Sequence, residues 1–460
     1  MAVTATLEED GMGRRPRPII KLVAVTLMAG VLLTGCLQDP DRSGGLSPGA
    51  AGLGEPEQGD GRVQILGAFG GDEEASFNAS LKDFEQDTGI EVDYVSDQDF
   101  TNTIQLRVNA GDIPDIALFP QPGGVFNMAE AGHVVPIDEF MDYDSLESTL
   151  IPGFLDSARF QGRVYAVPMR MAVKSIVWYP KPEFEANGWN TQPETLGELN
   201  ELSQQILDET GTPPWCIGWE SDQATGWVGT DWVEEYVLRM YGPEVYDDWI
   251  YGRIPFNDER IVDAMQAYYE FSTQDGWVLG GAEGIISTPF GDAMAPAFDE
   301  PPGCYMMRQG NFAITFFPAD VASNLDEEVG IFVFPRDEDG YDGQPILGGG
   351  DLAAAFSYDT DTIEVMKFLG SPEFGGPWAQ AGGWLSPHRT FDESQYPDEL
   401  TRQIAQIAVD ADVFRYDGSD VMPREVGSGS FWTNMVQLQT GAKTAQQAAD
   451  DIEATWPEES

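Results

Sequence analysis

The order of apolar runs in residues 62–119 constrains the fold more than any other feature of the chain. Short apolar runs predict strands at residues 63–68, 90–95 and 116–119. Apolar residues at helical spacing predict two intervening helices, with Phe77, Leu81 and Phe84 before Gly89, and Phe100, Ile104 and Val108 before Gly111. This alternation predicts an α/β fold in which helices cover a parallel sheet.

The carboxyl ends of parallel strands are the expected place for a ligand. Two segments follow predicted strands, namely residues 70–74 and residues 119–122, FPQP. They carry Asp72, Glu73 and Gln121, whose oxygen atoms accept hydrogen bonds. We therefore expect these segments to meet at a binding site.

Residues 215–232, WCIGWESDQATGWVGTDW, hold four of the twelve tryptophans of the chain. An indole ring offers a flat apolar face to the C–H face of a sugar, and nearby carboxylates and amides accept its hydroxyl hydrogens. Any one of these rings could instead fill a core. The neighbours that favour a wall facing a polar ligand are Ser221, Asp222, Gln223, Gly226 and Gly229. The stretch therefore predicts sugar binding.

The middle of the chain predicts a crossing into a second region and a return from it. Residues 163–168 and 173–179 read as extended apolar segments, and helices are expected near Thr230 and over residues 261–271. Residues 331–334 and 345–347 read as returning strands. They lead into residues 348–351, GGGD, a predicted hinge because glycine tolerates large dihedral changes.

The charge balance excludes several classes of partner. The chain has 78 acidic and 24 basic residues, so its net charge of −54 repels phosphate backbones and anionic lipid head groups. We expect no nucleic-acid partner. Such acidity is typical either of proteins from salty environments, where screening weakens self-repulsion, or of a generally acidic proteome. A hydrophobic content of 42% nevertheless indicates a folded protein.

The N-terminus has the pattern of a bacterial lipoprotein signal. Basic residues between 14 and 21 precede the apolar run 22–33, which is too short to span a bilayer, and residues 33–36, LTGC, look like a lipobox. We expect Cys36 to be lipidated after removal of the preceding segment. Residues 37–61 contain ten Gly or Pro residues in twenty-five, which is typical of a flexible tether.

The remaining cysteines, Cys216 and Cys304, are expected to form a disulfide in an extracytoplasmic compartment, with two separate buried thiols as the alternative.

A zinc enzyme is disfavoured because His133 and His388 are the only histidines and no H-E-x-x-H sequence occurs. The acidic run 337–342 lacks the final glutamate of a calcium loop, so it reads as a solvated turn. We expect no metal and no cofactor.

Several stretches together resemble the family 1 extracellular solute-binding proteins, the lipoprotein receptors of carbohydrate ABC importers, and are most similar to the members that bind alpha-glucosides. The resemblance covers residues 62–457 nearly end to end. Its most specific stretches are AFGGDEEASFNASLKDFEQDTGIEVDY, FPQPG, VKSIVWYPK, PWCIGWES with ATGWVGTDWVE, STPFGD with PPGC, GGGDLA, GGWLSPH and SDVMPREVGSGSFW.

This resemblance implies an α/β, two-lobe fold of the type II, maltose-binding-protein-like class, with a multi-stranded hinge and a central ligand cleft. We expect residues 1–36 to be the signal segment and 37–61 the tether. Lobe 1 is expected to comprise 62–172 plus 349–385, and lobe 2 to comprise 173–348 plus 386–460. The family also implies a sugar ligand, ABC permease subunits as partners, membrane contact through the lipid anchor only, a monomer, and no catalysis.

The resemblance also assigns candidate ligand-binding residues. Asp72 and Glu73 occupy the first-loop place where related receptors hold ligand hydroxyls, and Trp432 matches a stacking tryptophan of the maltose-type members. Phe69 stands where many relatives have tryptophan. The remaining candidates belong to motifs shared with the alpha-glucoside group and are Trp227, Asp231, Trp232, Arg308, Asp351 and Trp384.

Two rival functions remain from the residues alone. A secreted glycoside hydrolase also combines paired carboxylates with aromatic rings, and the sequence does not reveal the carboxylate separation. A receptor for a polyol or another non-sugar solute would share the same chemistry. The lipobox, tether and order of motifs favour the transport receptor.

Overall fold

The structure is a computed structural model that describes residues 53–457. The predicted signal segment, Cys36 and residues 37–52 of the tether lie outside the described residues. The strands are β1 Arg62–Gly67, β2 Glu91–Ser96, β3 Ile116–Phe119, β4 Arg159–Phe160, β5 Arg163–Val164, β6 Val167–Val173, β7 Ile176–Pro180, β8 Met307–Arg308, β9 Val329–Val333, β10 Pro345–Ala355 and β11 Val413–Tyr416.

Helices connect and cover these strands. The α-helices are α1 Asp72–Thr88, α2 Phe100–Ala110, α3 Pro122–Glu130, α4 Tyr143–Thr149, α5 Lys181–Asn187, α6 Leu196–Thr210, α7 Trp227–Ile250, α8 Glu259–Ser272, α9 Gly281–Ser287, α10 Ala319–Ala322, α11 Leu325–Glu328, α12 Thr360–Leu369, α13 Gly376–Ala381, α14 Glu399–Val409, α15 Gly418–Val421, α16 Trp432–Gln439 and α17 Ala445–Glu453. Shorter 3-10 helices span Ile137–Glu139, Phe154–Ala158, Asp222–Ala224, Phe290–Asp292, Ala295–Phe298, Asn311–Phe316 and Glu393–Gln395, and a π-helix spans Glu425–Phe431.

The predicted parallel core is confirmed. Strand β1 pairs in parallel with β2 and with β3. On α1, Phe77 and Leu81 are buried, and Gly89 ends the helix at a φ of 76°. On α2, Phe100, Ile104 and Val108 are all buried. The apolar spacing thus fixes which face of each helix packs against the sheet.

Strand β10 extends this sheet beyond its parallel part. Its C-terminal half pairs antiparallel with β3, its middle pairs antiparallel with β6, and its N-terminal end pairs in parallel with β11. Within residues 53–457, a six-stranded sheet is formed by β1, β2, β3, β6, β10 and β11. A separate three-stranded sheet has the order β8-β7-β9. Only Lys174 and Ser175 separate β6 from β7, so the chain passes directly from one sheet to the other.

The crossing segment differs in detail from the prediction. Residues 163–168 were expected to form one strand, but β5 ends at Val164 and β6 begins at Val167. Strand β5 pairs antiparallel with β4, and each of these strands is two residues long. Strand β6 instead joins the large sheet. The apolar run therefore serves two separate pairings, a choice that strand propensity alone does not reveal.

The glycines predicted as a hinge lie inside the paired strand β10. A Cβ atom on Gly348 would lie 2.2 Å from the Ala172 carbonyl oxygen, and one on Gly350 would lie 2.0 Å from the Arg170 carbonyl oxygen. The pairing of β10 with β6 also shifts register between Asp351 and Leu352. The structure therefore gives these glycines a packing role, because they allow β6 and β10 to approach closely.

Helix α7 is kinked at Gly242 and Pro243. Proline has no backbone N–H, so the Arg239 carbonyl loses the helical donor four residues ahead. The backbone N–H of Tyr341 donates to that carbonyl at 2.8 Å instead. The acidic run 337–342 thus includes a residue that completes the hydrogen bonding of α7.

Two further expectations meet the structure here. Cys216 and Cys304 form the predicted disulfide. The end of the predicted tether requires a correction, because Gly59 and Gly61 donate backbone hydrogen bonds to side chains at the start of α12. This part of the tether packs on the folded chain.

In the described part of the chain, none of the helices combines the length and the apolar character needed to cross a bilayer.

Candidate functional site

One group of candidate residues surrounds Arg170 on β6. Its Nη1 donates to Glu73 Oε1 at 2.7 Å, and its Nε donates to Asp351 Oδ2 at 2.5 Å. The guanidinium carbon lies 4.8 Å from the centre of the Phe69 ring and 5.3 Å from the Trp378 ring. Two carboxylates and two aromatic rings thus share one cation. Phe69 packs on this cation at the position where we noted a departure from the family.

A second group surrounds Lys174, directly after β6. Its ammonium donates to Asp231 Oδ1 on α7 at 3.0 Å and to Asp417 Oδ2 after β11 at 2.5 Å. The same ammonium lies 5.3 Å from the centre of the Trp227 ring. Asp231 is 1% exposed, and its second oxygen, Oδ2, has no hydrogen-bond donor among the described residues. Lys174 therefore brings two predicted site residues, Trp227 and Asp231, together.

Burial and the Lys174 ammonium shift the pKa values of these carboxyl groups in opposite directions. Burial alone would raise the pKa of Asp417, but the Lys174 ammonium and hydrogen bonds lower it to about 2. Burial raises the pKa of Asp231 well above its usual value despite Lys174. Burial and the charge of Asp417 raise the pKa of Asp420 to about 7. The group therefore holds carboxyl groups of very different acidity within one cluster.

Tyr416 connects the two groups. Its hydroxyl contacts the carbonyl oxygens of Gly350 and of Pro120, the latter at 3.1 Å. These carbonyls immediately precede Asp351 and Gln121 in the chain, and Tyr416 itself precedes Asp417. Gln121 in turn donates from Nε2 to Asp420 Oδ1 at 3.2 Å. The structure thus brings Gln121, Asp351 and the Lys174 group into one neighbourhood.

The tryptophan stretch does not form a continuous wall, and this corrects our interpretation. Trp215, Trp219 and Trp232 are each 0% exposed. Trp232 packs against Phe271 and Phe334 at ring-centre distances of 5.1 and 5.6 Å. Ser221, Asp222 and Gln223 occupy the loop before α7, so the polarity of these residues does not predict whether the neighbouring rings are buried.

Trp227 is the half-buried member of the stretch, and Trp432 lies near it. The Trp227 indole N–H donates to Ser221 Oγ at 3.0 Å. The Trp432 carbonyl packs against Gly226, where an added Cβ atom would lie 2.3 Å from its oxygen. Trp432 Nε1 is buried without an acceptor in the described part of the chain. These two rings remain candidates for contact with a ligand.

Two other candidates have surroundings that differ from the expectation. Trp384 is 1% exposed and packs against Phe374 and Phe391 in the core, and its ring also stacks on Trp378 of the Arg170 group at 6.5 Å. Arg308 is also buried, and its Nη2 donates to Glu235 Oε2 at 2.8 Å. Asp72 is exposed in the first turn of α1, beside Glu73.

One group of carboxylates has the spacing that a metal ion requires. Asp231, Glu234 and Asp417 each offer an oxygen within 4.8 Å of the others. Glu234, however, accepts from the backbone N–H groups of Gly418 and Ser419 at 2.7 and 3.0 Å. Since Lys174 binds the other two carboxylates, all three already receive hydrogen bonds from the protein, and we assign no ion to the cluster.

Sequence reasoning missed both cations of the site. Arg170 and Lys174 lie four residues apart in an extended, otherwise apolar segment, VPMRMAVK. Residues at this spacing share one face of a strand. Two basic residues on one face of a buried strand indicate buried ion pairs, because an isolated buried charge is too costly. That signal was present, but it did not identify the partner carboxylates.

Comparisons with known proteins agree with this architecture. The sequence profile described as bacterial extracellular solute-binding protein matches residues 70–375. The chain is 42% identical to the osmoprotective compounds-binding protein GgtB of Synechocystis over 86% of this chain and 92% of that protein. It is 33% identical to the alpha-glucosides-binding periplasmic protein AglE of Rhizobium meliloti over 86% of each chain.

Solved structures show the same fold at low sequence identity. The bacterial solute receptor AcbH is 15% identical, with a TM-score of 0.72 over 86% of this chain and 98% of that chain. The maltose-bound MalE3 of T. maritima is 18% identical, with a TM-score of 0.60 over 85% of this chain and 98% of that chain. The fold is therefore the predicted two-lobe, maltose-binding-protein-like type II class.

Proposed function

The chain belongs to the bacterial extracellular solute-binding proteins, and on this basis we propose that it captures a neutral alpha-glucoside or short oligosaccharide between two lobes. It delivers this ligand to the membrane permease of an ABC importer. The observation that carries the proposal is the junction of Trp227 and Asp231 at Lys174. There the ammonium that faces the Trp227 ring also binds Asp231, whose second oxygen, Oδ2, lacks a donor among the described residues.

The neutrality of the ligand follows from the ion pairs of the two groups. Arg170 and Lys174 each bind two carboxylates, so neither cation is left to bind an anionic substituent. Uronic acids and sugar phosphates would meet an excess of negative charge, and like charges repel strongly in a partly buried site. Hydroxyl groups can donate to carboxylates without adding charge.

The lobes supply the mechanism of capture. A ligand that contacts both lobes stabilises the closed state through contacts made only there, so closure requires no chemistry. We assign residues 62–172 plus 349–385 to lobe 1 and residues 173–348 plus 386–460 to lobe 2. Asp351 and Gln121 then belong to lobe 1, whereas Asp231 and Trp227 belong to lobe 2. The Gln121–Asp420 hydrogen bond would connect the lobes.

The proposal includes attachment to the outer face of the membrane through lipid on Cys36. The signal pattern of residues 14–36 supports this part. Replacing Cys36 with Ala should release the protein from the membrane fraction into the medium. Retention of the variant in membranes would contradict the lipid anchor.

A receptor for another small neutral solute is the second candidate. The 42% identical relative is named for binding osmoprotective compounds, a broader class than alpha-glucosides. Polyols share the hydroxyl chemistry of sugars but lack a ring with a flat apolar face. A ligand screen must therefore contain both classes.

A thermal-shift screen tests the proposal directly. The full chain in moderate salt is heated with maltose, trehalose, sucrose, maltodextrins and polyols, and each sugar is recovered afterwards. A ligand that binds the folded state raises the melting temperature in proportion to RT ln(1 + [L]/Kd). We expect a concentration-dependent rise with an alpha-glucoside that is recovered intact. Cleavage would support a hydrolase, and no response to any sugar would remove the substrate class.

Variants locate the ligand once it is identified. Trp227→Ala should weaken binding at least tenfold, or about 1.4 kcal/mol, and Trp432→Ala should do the same. Trp456→Ala is the matched control, because this half-buried ring lies near the C-terminus and packs against Gly252. Equal affinities for the two site variants and the control would exclude stacking at these positions.

A further inference from the structure

A second buried polar cluster lies on α7 beside the core ring of Trp232. Glu235 Oε1 is 2.7 Å from Arg239 Nη2, and Glu235 Oε2 is 2.8 Å from Arg308 Nη2. Ser175 also donates its hydroxyl hydrogen to this carboxylate, at 2.8 Å from Oε2. Glu235 and Arg239 are 0% exposed and Arg308 is 2% exposed. All three charges are therefore removed from water.

The cluster carries one positive charge in excess. Two guanidiniums share a single carboxylate, and the nearby Asp231 is paired with Lys174. The guanidiniums outweigh burial and lower the pKa of Glu235, so this carboxylate stays ionised. Burial lowers the pKa of Arg239 despite Glu235, and Arg308 adds repulsion. Within the cluster itself, Glu235 alone does not balance its two arginines, although Asp231 is close enough to interact with Arg308.

Several donors of the cluster also lack acceptors. Arg239 Nε and Nη1 and Arg308 Nε have no hydrogen-bond partner within residues 53–457. The same is true of the indole N–H of Trp232, whose ring lies 5.4 Å from the Arg308 guanidinium carbon. The unmatched atoms of the two arginines and of Trp232 are all donors, and the neighbouring Tyr268 hydroxyl is also unmatched among the described residues. An excess of donors together with an excess of positive charge indicates a missing acceptor that is negatively charged.

The large negative charge of the whole chain does not remove this demand. Charges on the surface are screened over about 8 to 10 Å at moderate salt. The guanidiniums, by contrast, would attract a bound anion at hydrogen-bond distance, in an interior of low dielectric constant. The local excess therefore decides binding. A compact monovalent ion matches it best, because the surrounding rings of Trp232, Tyr236 and Tyr268 are buried. A divalent or bulky anion would overbalance the charge or require the core to open.

We propose that this cluster holds one buried chloride ion, bound by the free N–H groups of Arg239 and Arg308. The site is distinct from the sugar site, although α7 carries residues of both. By satisfying the guanidiniums, chloride stabilises the part of α7 that positions Asp231 and Trp227. Bromide should occupy the same position, because it has the same charge and only a slightly larger radius.

The test compares the melting temperature of the full-length protein in sodium chloride and in sodium gluconate. Ionic strength and sodium concentration are kept equal, and the protein is first dialysed free of halide. We expect a saturable rise of about 2 to 4 °C with chloride and a similar rise with bromide. Arg239→Met keeps the length of the side chain but removes the excess charge, so it should abolish the response. Arg336→Met, which removes a half-buried arginine paired with Asp342, should retain it.

Crystals of the unaltered protein grown in sodium bromide give a second test that does not depend on a variant. An anomalous peak between the guanidiniums of Arg239 and Arg308 would support the proposal. Equal melting temperatures in chloride and gluconate would overturn it, as would a halide response that survives Arg239→Met. Water without bromide between the guanidiniums would also overturn it. None of these readouts requires a sugar, so failure here is distinct from failure of the proposed function.

Discussion

Replacing Lys174 with Met tests the central ion pairs of the candidate site. The ammonium binds Asp231 at 3.0 Å and Asp417 at 2.5 Å, and its side chain is 9% exposed. Methionine has nearly the same length and volume, so packing against Trp227 is largely preserved. The change therefore removes one buried charge and leaves its two partner carboxylates without a cation.

The expected loss of stability is large. Removing one partner of a buried ion pair costs about 3 to 5 kcal/mol, since the remaining charge stays buried. The unfolding entropy of about 2.1 cal/mol/K per residue, taken over roughly 400 folded residues, converts this into a fall of about 4 to 6 °C in melting temperature. An exposed ion pair contributes less than about 1 kcal/mol.

The loss should also depend on pH. In the unaltered protein the pKa of Asp417 is lowered to about 2, so its stabilising contribution is present above its unfolded pKa and disappears only as pH falls towards 2. The pKa of Lys174 is raised, so its contribution persists throughout neutral pH. Without Lys174, we expect burial, the largest influence on this carboxyl group, to raise the pKa of Asp417 above its unfolded value. Stability of the variant then falls as pH rises, by up to about 1.4 kcal/mol per unit.

Urea unfolding followed by tryptophan fluorescence at pH 5, 6.5 and 8 measures this effect. Lys367→Met is the control, because Lys367 pairs with Glu364 at 3.1 Å on the exposed face of α12. We expect the gap between the two variants to widen from pH 5 to pH 8. A further change, Asp417→Asn in the Lys174→Met background, should restore part of the stability. A gap below about 1 kcal/mol at pH 8, or one that is independent of pH, would refute the reasoning.

Three other changes test the fold. Replacing Cys216 and Cys304 with Ala should cost about 2 to 5 kcal/mol, measured by urea unfolding, because their disulfide spans 88 residues; an unchanged midpoint would deny it a stabilising role. Trp232→Ala should cost about 3 to 5 kcal/mol, and a midpoint like that of the unaltered protein would show that the ring is not in the core. Gly348→Ala should cost about 1 to 3 kcal/mol, since its Cβ atom would lie 2.2 Å from the Ala172 carbonyl oxygen; a stable variant would show that β6 and β10 separate easily.

The regular first part of the fold was predictable because its signals are local. The apolar spacing of α1 and α2, their glycine ends and the run at Ile116–Phe119 all lie within a few residues. The two short strands β4 and β5 were not foreseen. They pair only with each other, and whether an apolar run pairs locally or joins a larger sheet depends on the remainder of the chain.

The candidate site was predictable in part. Glu73 and Asp351 were identified separately, but the sequence did not show that Arg170 joins them. Trp232 was proposed as a ligand contact, whereas it lies in the core, and Trp227, five residues earlier, is half-buried. Polar neighbours predicted exposure for the whole stretch. The direction of each ring, however, is set by the helix on which it lies and by its partners across the fold.

The sequence by itself determined the α/β class, the acidic character and the resemblance to a receptor family, whereas it left the bond between Cys216 and Cys304 as an expectation that the structure confirmed. These properties follow from composition, short-range periodicity and order of motifs, all of which are written along the chain. Only the tertiary structure decided which carboxylates share Lys174 and which arginines share Glu235. Those contacts join residues far apart in sequence, and a buried charge is stable only where the fold brings its partners to hydrogen-bond distance.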